Sequence, residues 1–216
     1  MIRAGRVTVD GKPAHLGQKI DPEREKVLID GLPLPVRPDL TYLLLNKPAG
    51  VISTSDDPQG RPTVVGLVGG EGRLYPVGRL DADSEGLLLL TNDGEFTMLL
   101  THPRHGIAKT YLALVRGQPG RAAIRALVEG VALEDGPARA ISAQIIDRGT
   151  ASALVEVVIT EGRNRQVRRM MDAVGHPVLR LARTAIGPLR DGDLAPGEWR
   201  PLTIEEIRSL YRSAVG

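Results

Sequence analysis

Residues 78–94 read GRLDADSEGLLLLTNDG, an acidic loop that runs directly into four leucines and then into an Asn-Asp-Gly turn. A short, uninterrupted apolar run between turn signals is typical of a strand that is buried on both faces. Such a strand would hold the preceding loop, and Asp81 within it, against the core. A carboxylate in that position is costly unless it has a partner or a chemical task. Asp81 is therefore the first candidate for a functional residue.

The composition indicates a globular protein with an aliphatic core. Of the 216 residues, 42% are hydrophobic and 25% are charged, but only 3% are aromatic. The absence of cysteine excludes disulfides, thiolate metal sites and cysteine nucleophiles. The N-terminus lacks the apolar segment of a signal peptide, and no run reaches transmembrane length. We therefore expect a cytoplasmic protein that has no membrane partner.

Basic residues are concentrated in one part of the chain. The formal net charge is only +2. Between Arg163 and Arg183, however, six arginines accompany a single acid, Asp172. Such a stripe is typical of a site for the phosphates of a nucleic acid, and the alternative is a solvated, arginine-rich helix face.

The first 37 residues differ in pattern from the rest. Two Asp-Gly pairs, at residues 10–11 and 30–31, each follow a short β-rich run, which favours tight hairpin turns. The proline-rich residues 32–38 can form neither a helix nor a central strand, so they are expected to be an extended linker.

From residue 41 onward the pattern predicts strands with interspersed helices. Expected strands cover residues 42–45, 86–91, 110–115, 138–147 and 153–160. Expected helices cover residues 121–128, 165–174 and 203–212, the last with a capping box from Thr203 to Glu206. Because strands and helices do not alternate regularly, the fold class is α+β and not a doubly wound sheet.

Three interpretations of the acidic loop compete at this point. Short acidic loops are commonly turns or helix caps. The spacing of Asp81, Asp83 and Glu85 before Gly86 also suggests a calcium loop, but the twelfth position of such a loop requires a glutamate and holds Asn92 here. The third interpretation is that Asp81 acts in catalysis.

Four blocks of sequence favour the third interpretation. In chain order they are NKPAGV at residues 46–51, GRLD at 78–81, KTYL at 109–112 and EGRNRQVRRM at 161–170. Together they resemble the pseudouridine synthases, specifically the RsuA/RluB group that modifies bacterial ribosomal RNA. The resemblance implies a mixed, mostly antiparallel central sheet with flanking helices. It also implies isomerisation of uridine to pseudouridine on a base that is flipped out of the RNA, without a cofactor.

The resemblance assigns roles to the residues of the candidate active site. Asp81 matches the essential aspartate, and Tyr111 matches the tyrosine that stacks against the target uracil. Arg168 matches the basic residue that pairs with the aspartate and stabilises its charge. Arg79 matches an arginine that helps to extrude the base or fills its place. No metal site is implied.

The remaining basic residues of the matching blocks are candidates for contacts with RNA. Lys47, Arg163, Arg165 and Arg169 are predicted to bind phosphates, with simple solvation as the alternative for the arginines. The expected partner is ribosomal RNA or a pre-ribosomal particle, and the protein is expected to be a monomer. The large ribosomal subunit is favoured as the target over the small subunit. The alternative from another class is a non-catalytic factor for ribosome assembly that binds ribosomal RNA on the same fold.

The N-terminal segment resembles the second half of an S4 RNA-binding module. We expect residues 1–37 to be a partial S4-like segment and linker without the two leading helices of that module. Residues 38–216 are then expected to be the catalytic domain.

Overall fold

The computed structural model describes residues 1–21, 24–33, 39–69 and 74–215. No helix in these ranges is long and apolar enough to cross a membrane.

A small antiparallel sheet forms near the N-terminus, after a 3-10 helix over Ile2–Ala4. Its strands are β1 (Val7–Val9), β2 (Lys12–Pro13), β3 (Val27–Ile29) and β4 (Leu32–Pro33), in the order β2-β1-β3-β4. Asp10 and Gly11 have φ of 49° and 78°, and Asp30 and Gly31 have φ of 53° and 77°. Positive φ at both central residues defines a type I′ turn, so both predicted hairpins are confirmed.

The predicted linker is only partly described. Its first two residues are extended and form the edge strand β4, and residues 34–38 lie outside the described residues. The small sheet touches the rest of the chain where Asp30 lies 3.7 Å from the guanidinium of Arg208. The domain boundary and the S4-like character of this segment stay predictions.

The rest of the chain builds one larger sheet, a two-stranded hairpin and five helices in the described ranges. The strands are β5 (Tyr42–Lys47), β6 (Tyr75–Pro76), β7 (Ser84–Thr91), β8 (Lys109–Arg116), β9 (Val131–Leu133), β10 (Gly136–Ala138), β11 (Ser142–Arg148), β12 (Ser152–Ile159), β13 (Val178–Ile186), β14 (Leu189–Arg190) and β15 (Trp199–Pro201). The helices are α1 (Val64–Val68), α2 (Gly94–Thr101), α3 (Arg121–Glu129), α4 (Gln166–Ala173) and α5 (Ile204–Val215), with a 3-10 turn at Pro103–His105.

The large sheet has the order β11-β12-β8-β13-β7-β5-β15, with β6 and β14 at its margins. Every described pair in it is antiparallel except β13 with β7, which is parallel. The predicted α+β class with a mostly antiparallel sheet is confirmed.

The four leucines of β7 divide between two cores. Leu88 and Leu90 pack into a cluster on one face of the sheet, and Leu87 and Leu89 pack into a second cluster that contains residues of α2 and α5. All four are at most 2% exposed. The expected burial on both faces is confirmed, because successive side chains of a strand point to opposite faces.

Most predicted elements are present, but one predicted strand is too long. Residues 138–147 are not one strand, because β10 ends at Ala138 in a hairpin with β9, and β11 begins at Ser142 in the large sheet. Between them, the N–H of Ala140 donates to the carbonyl of Leu127 in α3, which turns the chain. The structure also contains α1, α2 and the central strand β13, which the sequence pattern does not predict.

The capping box of the last helix is confirmed. The N–H of Thr203 donates to the Glu206 carboxylate at 2.8 Å, and the Thr203 hydroxyl accepts from the Glu206 N–H at 3.2 Å.

Candidate active site

A cavity of about 290 Å³ opens where β7 begins to pair with β13. Its lining includes Asp81 from the loop before β7, Tyr111 from β8 and Leu181 from β13. The chain between β12 and α4 closes another side with residues 162–167. The volume lies near the lower end of the range of small-ligand sites, about 300–1,000 Å³. The cavity therefore suits one small ligand better than a larger one.

The loop that carries Asp81 is held by the chain that follows β5. The hydroxyl of Ser53 donates to the carbonyl of Leu80 at 2.8 Å and accepts from the Leu80 N–H at 3.1 Å. The N–H of Gly50 donates to the carbonyl of Ala82 at 2.7 Å. The residues on both sides of Asp81 are therefore fixed by hydrogen bonds, while its own side chain is 33% exposed beside the cavity. This is how a reactive group is pre-organised by its surroundings.

Lys47 supports the same loop from beneath, and its contact with RNA phosphate stays a prediction. Its side chain is fully buried, and its ammonium donates to the carbonyls of Pro48 at 3.0 Å and Ala82 at 3.4 Å. Burial lowers the pKa of Lys47 to about 8, although the carboxylates of Asp83, Glu85 and Asp81 oppose this shift. In this position the ammonium of Lys47 joins the carbonyl that follows β5 to the carbonyl of Ala82 in the loop.

We expect the buried Lys47 to make stability depend on pH above neutrality. Its pKa is about 8 in the folded state and 10.5 in the unfolded state, so between these values the unfolded chain binds more protons. The free energy of unfolding therefore increases as the pH rises through this window, by about 2 kcal/mol for this group between pH 7 and pH 10. Urea unfolding of wild type and Lys47→Met across this range measures the contribution as the difference between the two curves. Parallel curves of unfolding free energy against pH would contradict this contribution. The pKa of Lys109 is also lowered, but both proteins contain Lys109, so its effect cancels in the difference.

Arg165 is the cation nearest to the candidate catalytic aspartate. It adopts a left-handed backbone with φ of 47°, which is uncommon for a residue other than glycine. Its guanidinium binds both carboxylate oxygens of Asp83, at 3.0 and 2.9 Å, and lies 3.9 Å from the carboxylate of Asp81. Hydrogen bonds from Arg165, aided by the charge of Arg168, lower the pKa of Asp83. Arg165 is therefore engaged with the acidic loop, and the predicted phosphate contact would compete with this engagement.

Arg168 is placed near the site, but the ion pair expected with Asp81 is not formed. Its side chain, 9% exposed, lies 3.3 Å from the carboxylate of Asp83 and donates to the Asp83 carbonyl at 2.9 Å. It also reaches the hydroxyl of Ser84 and the carbonyl of Val178. Helix α4 contacts the loop on the C-terminal side of Asp81, so Arg168 pairs with Asp83. Arg168 thus joins the loop, α4 and β13.

The predicted basic stripe is largely neutralised by acids from other parts of the chain. Arg163 binds Glu161 at 2.7 Å and donates to three carbonyls of residues 135–137. Arg169 binds both oxygens of Asp135, at 2.8 and 3.0 Å. These contacts attach the chain around α4 to the β9–β10 hairpin. The phosphate contacts predicted for both arginines would require these ion pairs to open.

The last two arginines of the stripe also have partners inside the protein. Arg180 binds Glu85, with its closest contact at 2.6 Å. Arg183 is 3% exposed and donates to the carbonyl of Leu87 at 2.8 Å. In this structure the arginines of the stripe make contacts that hold the acidic loop and the sheet together, and their binding to RNA stays a prediction.

Tyr111 and Arg79 lie at the cavity as predicted from the motifs. Tyr111 is 8% exposed and forms part of the wall, opposite Val157 and Arg183 on the neighbouring strands. Arg79 lies at the rim, and no hydrogen bond or ion pair joins it to another described residue. An aromatic wall, a partly exposed carboxylate and an arginine at the rim thus share one cavity.

Three residues of the site are not predicted by the sequence patterns. Gln166 lines the cavity at 3% exposure and accepts from the N–H of Arg163 at 3.1 Å, and its place in the EGRNRQVRRM block is the only signal that points to it. Leu181 lies on the strand β13, which the pattern does not predict. Ser53 has no local sequence signal, because its partner Leu80 is far along the chain. Within the described ranges, no group of three His, Asp or Glu side chains is arranged to hold a metal ion.

Comparison with known proteins identifies the family. The family model described as RNA pseudouridylate synthase matches residues 41–173. An uncharacterized RNA pseudouridine synthase of Mycobacterium leprae is 46% identical over 98% of this chain and 85% of its own length. The ribosomal large subunit pseudouridine synthase B of Bacillus subtilis is 41% identical over 97% of this chain and 87% of its own length. A crystal structure of a pseudouridylate synthase superposes with a TM-score of 0.70 at 33% identity, covering 97% of this chain and 90% of that one. The chain therefore belongs to the RNA pseudouridylate synthase family and is an isomerase.

Proposed function

We propose that this enzyme converts a specific uridine of large-subunit ribosomal RNA into pseudouridine, with Asp81 as the catalytic carboxylate. The observation that carries the proposal is the one cavity that Asp81 and Tyr111 both line. The assignment to the large subunit is supported by the 41% identity with the Bacillus subtilis enzyme whose name states that target.

The chemistry sets what such a site must provide. The bond from N1 of uracil to C1′ of ribose breaks, and a bond from C5 to C1′ forms. C5 loses its proton to solvent and N1 gains one, so nothing is oxidised and no group is transferred from outside. The reaction therefore needs a carboxylate beside the junction of sugar and base, and a pocket that holds the base while it turns. Asp81, held through its neighbours and partly exposed at the cavity, meets the first requirement.

The roles of the remaining site residues are inferred from their positions. Tyr111 stacks on the flipped uracil, and Leu181 packs beside it on the same wall. Arg168 and Arg165 act through Asp83, fixing the loop that presents Asp81. Arg79, at the rim, takes the place that the base leaves in the RNA. Flipping costs a few kcal/mol of stacking and pairing, which contacts of this kind offset.

The partner and setting of the enzyme belong to the same proposal. Its partner is ribosomal RNA or a pre-ribosomal particle in the cytoplasm, and it acts as a monomer without a cofactor. Residues 1–37, as a partial S4-like segment, add RNA contacts beside the catalytic domain of residues 38–216. A helix of that domain, α5, already holds this segment through the Arg208–Asp30 contact.

Mass mapping of pseudouridine tests the function and the target together. Ribosomal RNA is compared between cells that contain the protein, cells that lack it and cells that carry Asp81→Asn. We expect one or a few pseudouridines of the large-subunit RNA to disappear in the last two. Identical maps in all three strains would contradict the function, and a missing site in the small-subunit RNA would contradict the target.

Two substitutions at Tyr111 test stacking. Tyr111→Phe keeps the ring and should hold kcat/KM and the dissociation constant for RNA within about threefold, whereas Tyr111→Leu keeps apolar volume but removes the ring. Because stacking of one base on an aromatic ring contributes about 1–3 kcal/mol, kcat/KM should fall about tenfold to a hundredfold in the leucine variant. Single-turnover kinetics on a ribosomal RNA transcript give both values. Equal losses in the two variants would instead assign the role to the hydroxyl.

A further inference from the structure

Two surface grooves run along the junction of α3 with β11 and meet at Val128. One is lined on α3 by Arg121 and Arg125, opposite β11. The other is lined by Arg139, Ile141 and the two residues that follow β12, Thr160 and Glu161. Together they form what we call the α3 groove.

The charges of the α3 groove differ from those of the stripe between Arg163 and Arg183. Its three arginines (Arg121, Arg125 and Arg139) are exposed, and none of them forms an ion pair with a described carboxylate. The one acid among the lining residues, Glu161, already binds Arg163. The α3 groove therefore carries positive charge that no described carboxylate neutralises.

The arginines and exposed apolar side chains of the α3 groove are not placed where they would stabilise the fold. Arg121 and Arg125 are four positions apart on α3, where like charges destabilise a helix. The same surface exposes apolar side chains to solvent, with Val128 39% and Ile141 56% exposed. Cations interleaved with apolar groups suit a partner that offers both phosphates and the faces of bases or riboses.

Consecutive residues of the chain line the α3 groove and the candidate active site. Thr160 and Glu161 line its second half, and the next residue, Gly162, lines the cavity of Asp81. A strand of RNA whose uridine occupies the cavity can continue along this surface.

We propose that the α3 groove binds the sugar–phosphate backbone of the RNA beside the modified uridine. The inference rests on the proposed function, because it places the groove on the path of the same substrate. It assigns RNA recognition in this region to the three free arginines and not to the paired arginines around α4.

The test compares three variants for binding to an in vitro transcript of large-subunit ribosomal RNA over a salt titration. One variant carries Arg121→Ala, Arg125→Ala and Arg139→Ala, and a second carries lysine at the same positions. The third is Arg190→Ala, which removes an exposed arginine on β14 that packs near α5 and has no ion pair with a described residue.

We expect the dissociation constant of the triple alanine variant for the transcript to rise at least about tenfold. The slope of log K against the logarithm of the salt concentration should become less steep by about 2, because each lost phosphate contact removes about 0.7–0.9 from that slope. The triple lysine variant and Arg190→Ala should bind within about threefold of wild type. At saturating RNA, single-turnover formation of pseudouridine should stay unchanged in the triple alanine variant, because its arginines lie outside the cavity.

Unchanged affinity and slope in the triple alanine variant would overturn the inference, as would an equal loss in Arg190→Ala. Normal binding to the naked transcript, with a defect only on protein-containing particles, would assign the surface to a protein and also overturn it. If wild type binds the transcript but forms no pseudouridine, the proposed function fails while arginine-dependent binding is still measured. The two failures are therefore distinguishable.

Discussion

Replacing Asp81 with asparagine should abolish pseudouridine formation while leaving the fold and RNA binding nearly intact. The amide matches the carboxylate in size but cannot act as a nucleophile or a base, so the rate should fall by at least about 10⁴-fold. The side chain is a third exposed and its described ion pair is long, 3.9 Å to Arg165. Losing such a contact should change the free energy of unfolding by no more than about 1 kcal/mol. Carbodiimide mapping of treated ribosomal RNA measures the first effect, and urea unfolding the second.

The matched control for Asp81 is its neighbour in the same loop, Asp83. Asp83→Asn removes the bidentate partner of Arg165 and the ion pair with Arg168, so it should lower stability and activity together. An Asp81→Asn protein that modifies RNA as fast as wild type would remove Asp81 from the mechanism. An Asp83→Asn protein that is inactive but fully stable would transfer the chemical role to Asp83.

Replacing Gly86 with alanine should have the largest effect on stability of any single substitution considered. A Cβ at this position would lie 2.2 Å from the carbonyl oxygen and 2.6 Å from the nitrogen of Arg183, and φ is +103°. Both neighbours are backbone atoms in the parallel pairing of β7 with β13, so they cannot move unless the strands separate. Strain and overpacking together should cost about 4 kcal/mol or more, a large part of the roughly 5–15 kcal/mol that stabilises a typical domain.

Urea unfolding monitored by circular dichroism checks this prediction, with Gly192→Ala as the control. A Cβ added at Gly192 would have no neighbouring heavy atom within 4 Å, and φ there is not in the left-handed region. Its substitution should therefore change stability by less than about 1 kcal/mol. Failure of Gly86→Ala to fold at all agrees with the expected loss. A midpoint equal to that of wild type would contradict the close approach of β7 to β13.

The sequence predicts the centre of the fold because its signals there are local. A run of four leucines between turn signals favours a strand buried between two cores, and the hairpin turns of the N-terminal sheet follow from Asp-Gly pairs. The Thr203–Glu206 capping box likewise depends on two residues three positions apart. Patterns of this kind are complete within a few residues.

The central strand β13 escapes prediction because its pattern is interrupted by charges. Residues 178–186 contain two arginines, and one of them, Arg183, is buried at the centre of the sheet by a hydrogen bond to Leu87. A charged residue in a core strand contradicts the usual apolar pattern. The buried guanidinium is stabilised by its hydrogen bond to the carbonyl of Leu87 on β7, and Leu87 is 96 residues away in the sequence.

For a related reason, the sequence does not predict that Lys47 is buried or that the arginines of the stripe have acidic partners. Counting charges along the chain gives a local excess, but the acids that neutralise Arg165 and Arg180 are 82 and 95 residues away. Lys47 matches a motif, and motifs do not report burial. The motifs therefore point to several residues that line the cavity, but they do not say which arginines have acidic partners.

Release of tritium from large-subunit ribosomal RNA labelled at C5 of uridine tests the central claim most directly. Forming the C5–C1′ bond expels the label, so purified wild-type protein should release about one equivalent per modified site, and Asp81→Asn should release none above background. Wild-type protein that binds this RNA without releasing tritium, or equal release by both proteins, would contradict the account.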